Sequence, residues 1–173
     1  LSRKYHISIY PLELVRETLK NNPIMIYPRL IEAKPIFNGK LLDDLKIKPN
    51  KGLFKSFIED TKRIIKINKE FIELDKMDGG YVTSNQIIYS IILRLRGIFM
   101  IKCLIESNLY SNKNFEKWIT KFIPTKEYKE VYRMYAEIKH NKKPKSKIAI
   151  KYAELLVNLL EEEVKKYGQK KKT

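Results

Sequence analysis

Residues 82–107 read VTSNQIIYSIILRLRGIFMIKCLIES, and this stretch decides the fold class. Its apolar residues lie on nearly every side of a helix with 3.6 residues per turn, which is typical of a helix buried at the centre of a bundle. Arg94, Arg96 and Lys102 interrupt the apolar run and argue against a membrane span. The stretch therefore predicts a central, buried helix in a protein that does not cross a membrane, and we expect a cytoplasmic location.

The sequence on both sides of this stretch predicts further helices. They are expected over residues 53–74, 112–123, 125–141 and 147–167. Because short connections join long helices, we predict an antiparallel helical bundle at 49–167, followed by a disordered basic tail at 168–173. The apolar face of the 53–74 helix is expected to consist of Phe54, Phe57, Ile58, Thr61, Ile64, Ile65, Phe71 and Ile72.

The first 48 residues have a different pattern. Residues 4–10 alternate as in a strand, Pro11 begins a helix, and a second helical segment at 24–33 precedes a short strand at 35–37. The predicted fold class is thus mainly α, with a small α/β remnant of two strands and two helices at residues 1–48. Two isolated strands are marginal in water, so we expect the remnant to be the end of a longer domain that precedes Leu1.

Three short motifs in this region are YPLEL at 10–14, NP at 22–23 and LIEAKPIFNG at 30–39. With the strand order, they resemble the carboxyl-terminal half of the minimal nucleotidyltransferase domain of the DNA polymerase β superfamily. The resemblance implies transfer of a nucleotidyl group from a nucleoside triphosphate to an acceptor hydroxyl, with Mg²⁺ as cofactor. The family's Gly-Ser turn and Asp-x-Asp pair do not occur in the sequence, and His6 and Ser8 occupy the place of a third carboxylate. We therefore expect no metal site, and this chain alone should be inactive as a transferase.

The charge of the chain predicts an acidic partner. The sequence has 36 basic and 20 acidic residues and a net charge of +16, which favours nucleic acid or a nucleotide. Lysine supplies most of this charge, whereas bidentate phosphate recognition uses arginine, so biased codon usage is the alternative explanation. One cysteine, Cys103, and two histidines are too few for a zinc cluster.

Arg133 and His140 are the candidate catalytic residues. Their spacing is similar to the Arg-x(4–6)-His signature of HEPN domains, helical bundles that often accompany minimal nucleotidyltransferases and sometimes cleave RNA. The resemblance implies that Arg133 holds a phosphate and that His140 is a general acid or base. The alternative is an ordinary solvated helix face.

Six further residues are candidates for nucleotide or phosphate binding. They are Arg94, Arg96, Lys142, Lys143, Lys145 and Lys147. A buried arginine needs a partner, which is either a ligand phosphate or one of the carboxylates of Glu59, Asp60, Glu154 and Glu161. The four lysines belong to a stretch without acidic residues, which either follows a phosphate backbone or is simply solvated.

Three functions remain open from the sequence. The first is a nucleotidyltransferase-family protein whose main catalytic motif lies outside this chain. The second is a non-catalytic nucleic-acid or protein binding module, which includes a homodimer formed through the bundle. The third is a HEPN-type ribonuclease.

Overall fold

The computed structural model describes residues 9–46 and 48–168, which form eight α-helices and two short 3₁₀ helices. The α-helices are α1 (Leu12–Asn21), α2 (Tyr27–Glu32), α3 (Gly39–Leu45), α4 (Lys55–Asp78), α5 (Asn85–Ile105), α6 (Asn112–Ile119), α7 (Thr125–Lys139) and α8 (Ile150–Gly168). The 3₁₀ helices are Pro23–Met25 and Lys51–Phe54. The prediction of a mainly α fold is confirmed.

Helices α4, α5, α7 and α8 pack together as a bundle. Along α4 and α8, the Lys69 ammonium lies 2.8 Å from a carboxylate oxygen of Glu161, and that of Lys76 lies 2.6 Å from one of Glu154. As the residue numbers increase along α4, those of the contacting residues on α8 decrease. The two helices therefore run antiparallel, although three other helices separate them in the sequence.

The central position of α5 follows from its sequence. Its buried residues are Ile87, Ile88, Ile91, Ile92, Leu95, Ile98, Phe99, Ile101 and Cys103. It packs against α4, α7 and α8, so an apolar residue is buried on almost every side. The prediction that residues 82–107 contain the central helix is confirmed, although the helix itself begins at Asn85.

The predicted strands of the amino-terminal region are wrong where the structure describes them. Residues 35–37 form no strand, and the side chains of Ile36 and Phe37 are 88% exposed. Ile9 and Tyr10 are not in a strand either, and the rest of the predicted 4–10 strand lies outside the described residues. An extended segment needs a neighbour to satisfy its backbone groups, and no described segment is placed to provide one.

Two polar residues occupy positions on α4 that face the core. Asn68 donates a hydrogen bond to the Ser90 hydroxyl of α5 (2.9 Å), and the Asp75 carboxylate accepts from the backbone and hydroxyl of Thr83. These bonds satisfy buried polar groups. The predicted apolar face is therefore wrong at Phe71, which is half-exposed, because the buried face is turned towards Asn68 and Asp75.

The loop after α4 is joined to the segment before α8. Gly79 ends α4 with a positive φ of 143°, a conformation that favours glycine. The Val82 amide then donates to the Ile148 carbonyl (2.9 Å), and the Ile150 amide donates to the Gly80 carbonyl (3.0 Å). This short bridge fixes the start of α8 and, with it, the lysine-rich segment that precedes it.

Candidate functional site

The guanidinium of Arg96 is held by tyrosine hydroxyls rather than by a carboxylate. It donates to Tyr110 (3.1 Å) from Nε, and to Tyr132 (3.1 Å) and Tyr135 (3.5 Å) from Nη1. Nη2 donates to the side-chain oxygen of Asn112 (3.3 Å). Helix α5 provides the arginine, α7 provides Tyr132 and Tyr135, and the segment around the start of α6 provides the other two residues. We call these five residues the Arg96 cluster.

The positive charge in the Arg96 cluster is not neutralised. In the part of the chain that the structure describes, Arg96 makes no salt bridge. Its partners are neutral oxygens and the rings of Tyr135, Tyr132 and Tyr110, whose centroids lie 5.4, 5.9 and 6.0 Å from Cζ. Burial opposes ionisation, but the surrounding tyrosines raise the pKa of Arg96 above its usual value. A half-buried cation without a counter-ion attracts anions to the surface above it.

The environment of the tyrosines also changes their ionisation. Burial raises the pKa of Tyr110 and Tyr135, although the positive charge of Arg96 acts in the opposite direction. Burial likewise raises the pKa of Tyr128, which packs against Tyr132. At neutral pH these hydroxyls are therefore protonated, and each is able to donate a hydrogen bond as well as to accept one.

Native tyrosines should ionise late in an alkaline titration. Burial raises the pKa of Tyr167 to about 12, and it also raises the pKa of Tyr27. With Tyr110, Tyr128 and Tyr135, we expect at least five of the eleven tyrosines to show delayed absorbance at 295 nm, and the delay to vanish in denaturant. The tyrosines of the unfolded chain ionise near pH 10. The stability that their burial contributes is therefore intact below this pH and is lost as the pH rises towards 12. Eleven native tyrosines that titrate together near pH 10 would contradict the burial.

A surface pocket of about 430 Å³ lies beside the Arg96 cluster. It is lined by Asn112, Lys113, Glu116, Tyr128, Lys129, Tyr132 and Arg133. Asn112 and Tyr132 also belong to the Arg96 cluster, so Arg96 lies next to two of the residues that line the pocket. The pocket combines aromatic rings with three cations and one carboxylate, a composition that suits a flat, apolar group attached to an anion.

Arg133 connects this pocket to the lysine-rich segment. Its guanidinium donates to the Ser146 hydroxyl (2.6 Å) and forms an ion pair with Glu130, and Ser146 also donates to Glu130 (2.9 Å). Residue 146 is thereby held against α7. Its neighbours Lys145 and Lys147 are exposed. We use the term basic face for Lys113, Lys129, Arg133, Lys142, Lys143, Lys145 and Lys147, which are all exposed.

His140 lies at the end of α7. Its backbone amide closes the last turn on Ala136, and Asn141 then adopts a left-handed conformation with φ of 56°. The described residues show no hydrogen bond between the side chains of Arg133 and His140, and the arginine is bonded to Glu130 and Ser146. The two candidate catalytic residues are thus on the same helix but are not joined by a direct contact.

Arg94 is directed away from the basic face and towards α4. Its guanidinium lies 2.5 Å from Asp60 and above the ring of Phe57, 5.3 Å from the centroid. Asp60 was among the carboxylates that the sequence offered as partners. Of the two arginines of α5, only Arg96 therefore stands near the pocket.

The sequence did not identify Lys113, Lys129 or the tyrosine partners of Arg96 as parts of one site. The spacing of Tyr128, Tyr132 and Tyr135 is typical of core residues; Tyr128 and Tyr135 are buried, whereas Tyr132 is half-buried. The available signal was an arginine in an apolar helix together with three tyrosines on one side of another helix. Phenol oxygens are suitable acceptors for such a cation.

Two kinds of feature were not found among the described residues. Among them, no three His, Cys, Asp or Glu side chains are grouped so that they could hold a metal ion. No helix in the described ranges has the length and apolar character needed to cross a bilayer. The chain matches no known protein family, no curated protein and no solved structure.

Proposed function

We propose that this chain is a nucleic-acid-binding helical bundle. In this proposal, the basic face contacts the phosphate backbone of a single strand, and the pocket beside Tyr132 receives one of its bases. The observation that carries the proposal is the pocket itself, where Lys113, Lys129 and Arg133 surround a tyrosine wall with the uncompensated Arg96 behind it. Cations for phosphates and aromatic rings for bases are the usual combination in single-strand binding.

The distribution of charge supports the same proposal. Ser146 joins the lysine-rich segment to Arg133, so the pocket and the segment form one surface. Phosphate contacts of this kind are distributed along the nucleic-acid backbone, and exposed lysines can make them without a fixed geometry. The predominance of lysine over arginine is thus compatible with a role that is not sequence-specific.

Removal of charge from the basic face should weaken binding. We expect a variant in which Lys142, Lys143, Lys145 and Lys147 are all glutamine to bind a labelled oligouridine at least tenfold more weakly at about 100 mM salt. Each phosphate that a lysine neutralises releases counter-ions, and this favourable contribution to binding is lost with the lysine. Fluorescence anisotropy measures the affinity. The matched control changes the exposed Lys20, Lys34, Lys40 and Lys48 to glutamine and removes the same total charge.

Two outcomes of this comparison would count against the proposal. Equal losses in both quadruple variants would mean that net charge alone attracts the strand, without a defined face. No binding by the wild-type chain at low salt would leave codon usage as the explanation of the charge. Circular dichroism of each variant establishes that the helices are retained.

The transferase and ribonuclease hypotheses stay predictions. For the transferase, we expect no incorporation of labelled nucleotide by this chain with Mg²⁺, since the family's metal-binding motif does not occur in its sequence. For the ribonuclease, the decisive observation would be RNA cleavage that disappears in both Arg133→Ala and His140→Ala. Neither hypothesis gains support from a contact among the described residues.

A further inference from the structure

An apolar stripe runs along the exposed side of α4. Ile67, Phe71 and Leu74 are 45, 50 and 59% exposed, and Ile64 continues the stripe as a partly buried residue. The spacings of three, four and three residues place these four side chains on one line along the helix. We call them the α4 stripe. Their spacing is the one by which helices pair in a coiled coil.

Helix α5, which packs beside α4, also has an exposed apolar residue. Asp60 and Asn68 of α4 contact Arg94 and Ser90 of α5, and Leu93 lies between Ser90 and Arg94 in the sequence. Leu93 is also exposed, at 43%. A monomer gains nothing from a continuous row of apolar side chains in water, and such rows usually mark an interface.

The charges that flank the α4 stripe have a defined order. Arg63 and Lys66 precede its centre, whereas Glu70 and Glu73 follow it, and all four side chains are mostly exposed. In chain order, these four charges are plus, plus, minus, minus. A second copy of the same helix in antiparallel orientation presents minus, minus, plus, plus. This order is complementary to itself only when the two helices run in opposite directions.

The overall charge of the chain does not oppose such pairing at this surface. Helix α4 contains six basic and six acidic residues between Lys55 and Asp78, so it is neutral. The net charge of +16 is therefore carried by other parts of the chain. Lys113, Lys129 and Arg133 of the basic face belong to α6 and α7, so the two surfaces lie on different helices.

We infer that α4 is a self-association surface at which two copies of this chain pair antiparallel about a two-fold axis. The apolar side chains of Ile67 and Phe71 pack against Phe71 and Ile67 of the second copy. Arg63 and Lys66 of each copy lie towards Glu70 and Glu73 of the other. An isologous contact of this kind closes on itself and produces a dimer rather than a filament. The inference is independent of nucleic-acid binding.

The dimer is tested by sedimentation velocity of the full chain, freed from nucleic acid as judged by its absorbance ratio. We expect a monomer–dimer equilibrium between about 1 and 100 µM, as suits a small interface. Phe71→Glu should leave only the monomer, because it places a charge in the apolar contact of both copies. The control Leu109→Glu alters a more exposed apolar residue outside the helices and should leave the equilibrium unchanged.

Charge reversal tests the orientation. We expect the pair of changes R63E and K66E to abolish self-association, and the pair E70K and E73K to do the same, because like charges then meet. An equimolar mixture of these two proteins should form a heterodimer. A wild-type chain that stays monomeric at the highest concentration, a dimer that persists in Phe71→Glu, or a mixture that fails to associate would each overturn the inference.

Discussion

Replacement of Phe115 by alanine is expected to lower the free energy of unfolding by about 3–5 kcal/mol, the usual cost of emptying a buried aromatic position. Phe115 is completely buried on α6. Its ring centroid lies 5.7 Å from that of Phe99, 5.8 Å from that of Trp118 and 6.4 Å from that of Tyr128. The substitution thus removes both buried area and several ring contacts. Urea denaturation followed by circular dichroism measures the loss.

Phe122 provides the matched control for this prediction. It also contacts Trp118, with the two ring centroids 6.1 Å apart, but it is 44% exposed. We expect Phe122→Ala to cost about 1 kcal/mol or less, because only part of its surface is removed from water on folding. Similar losses for the two variants would mean that Phe115 is not at the centre of an aromatic core.

Replacement of Arg96 by alanine is expected to cost about 2–4 kcal/mol, because the hydrogen bonds from one charged donor to several acceptors, most of them at least partly buried, are lost together. The hydroxyls of Tyr110 and Tyr135 would lose their common partner. Arg94→Ala is the matched control, two residues earlier on the same helix. The side chain of its partner Asp60 is 42% exposed, so water screens this ion pair, and we expect a loss of about 1 kcal/mol.

The tyrosines provide a second readout for Arg96→Ala. The cation lowers the pKa of Tyr110 and Tyr135 against the larger effect of burial. Without it, we expect both tyrosines to ionise at still higher pH in the native protein, as seen in the absorbance at 295 nm. An unchanged titration together with unchanged stability would contradict the Arg96 cluster.

The helical part of this fold is largely predictable from sequence because periodic apolar patterns and strong end signals agree there. Pro124, Gly79 and the apolar run of α5 fix boundaries within a few residues. The amino-terminal region lacks this agreement. Ile36 and Phe37 have the composition of a strand, but strand formation depends on a neighbouring strand that a local pattern cannot reveal. Asn38 instead accepts a hydrogen bond from the Leu41 amide and begins α3, which the sequence pattern did not predict.

The candidate site was predictable only in part for a related reason. The lysines of the 142–147 segment are recognisable because they are adjacent in sequence. Arg96 and Tyr132, in contrast, meet only because α5 and α7 pack side by side, so their contact depends on tertiary structure. A pattern that identifies Tyr132 as a core residue gives no indication that its hydroxyl accepts a hydrogen bond from a half-buried cation.

The dependence of nucleic-acid affinity on salt tests the proposed function most directly. Each neutralised phosphate of a single strand contributes about −0.7 to the slope of log K against log salt concentration. We expect a steep slope for the wild-type chain, and a slope that is less steep by about 2–3 when Lys142, Lys143, Lys145 and Lys147 are all changed to glutamine. A wild-type slope near zero, or an equal slope in this variant, would contradict a basic face that contacts the phosphate backbone.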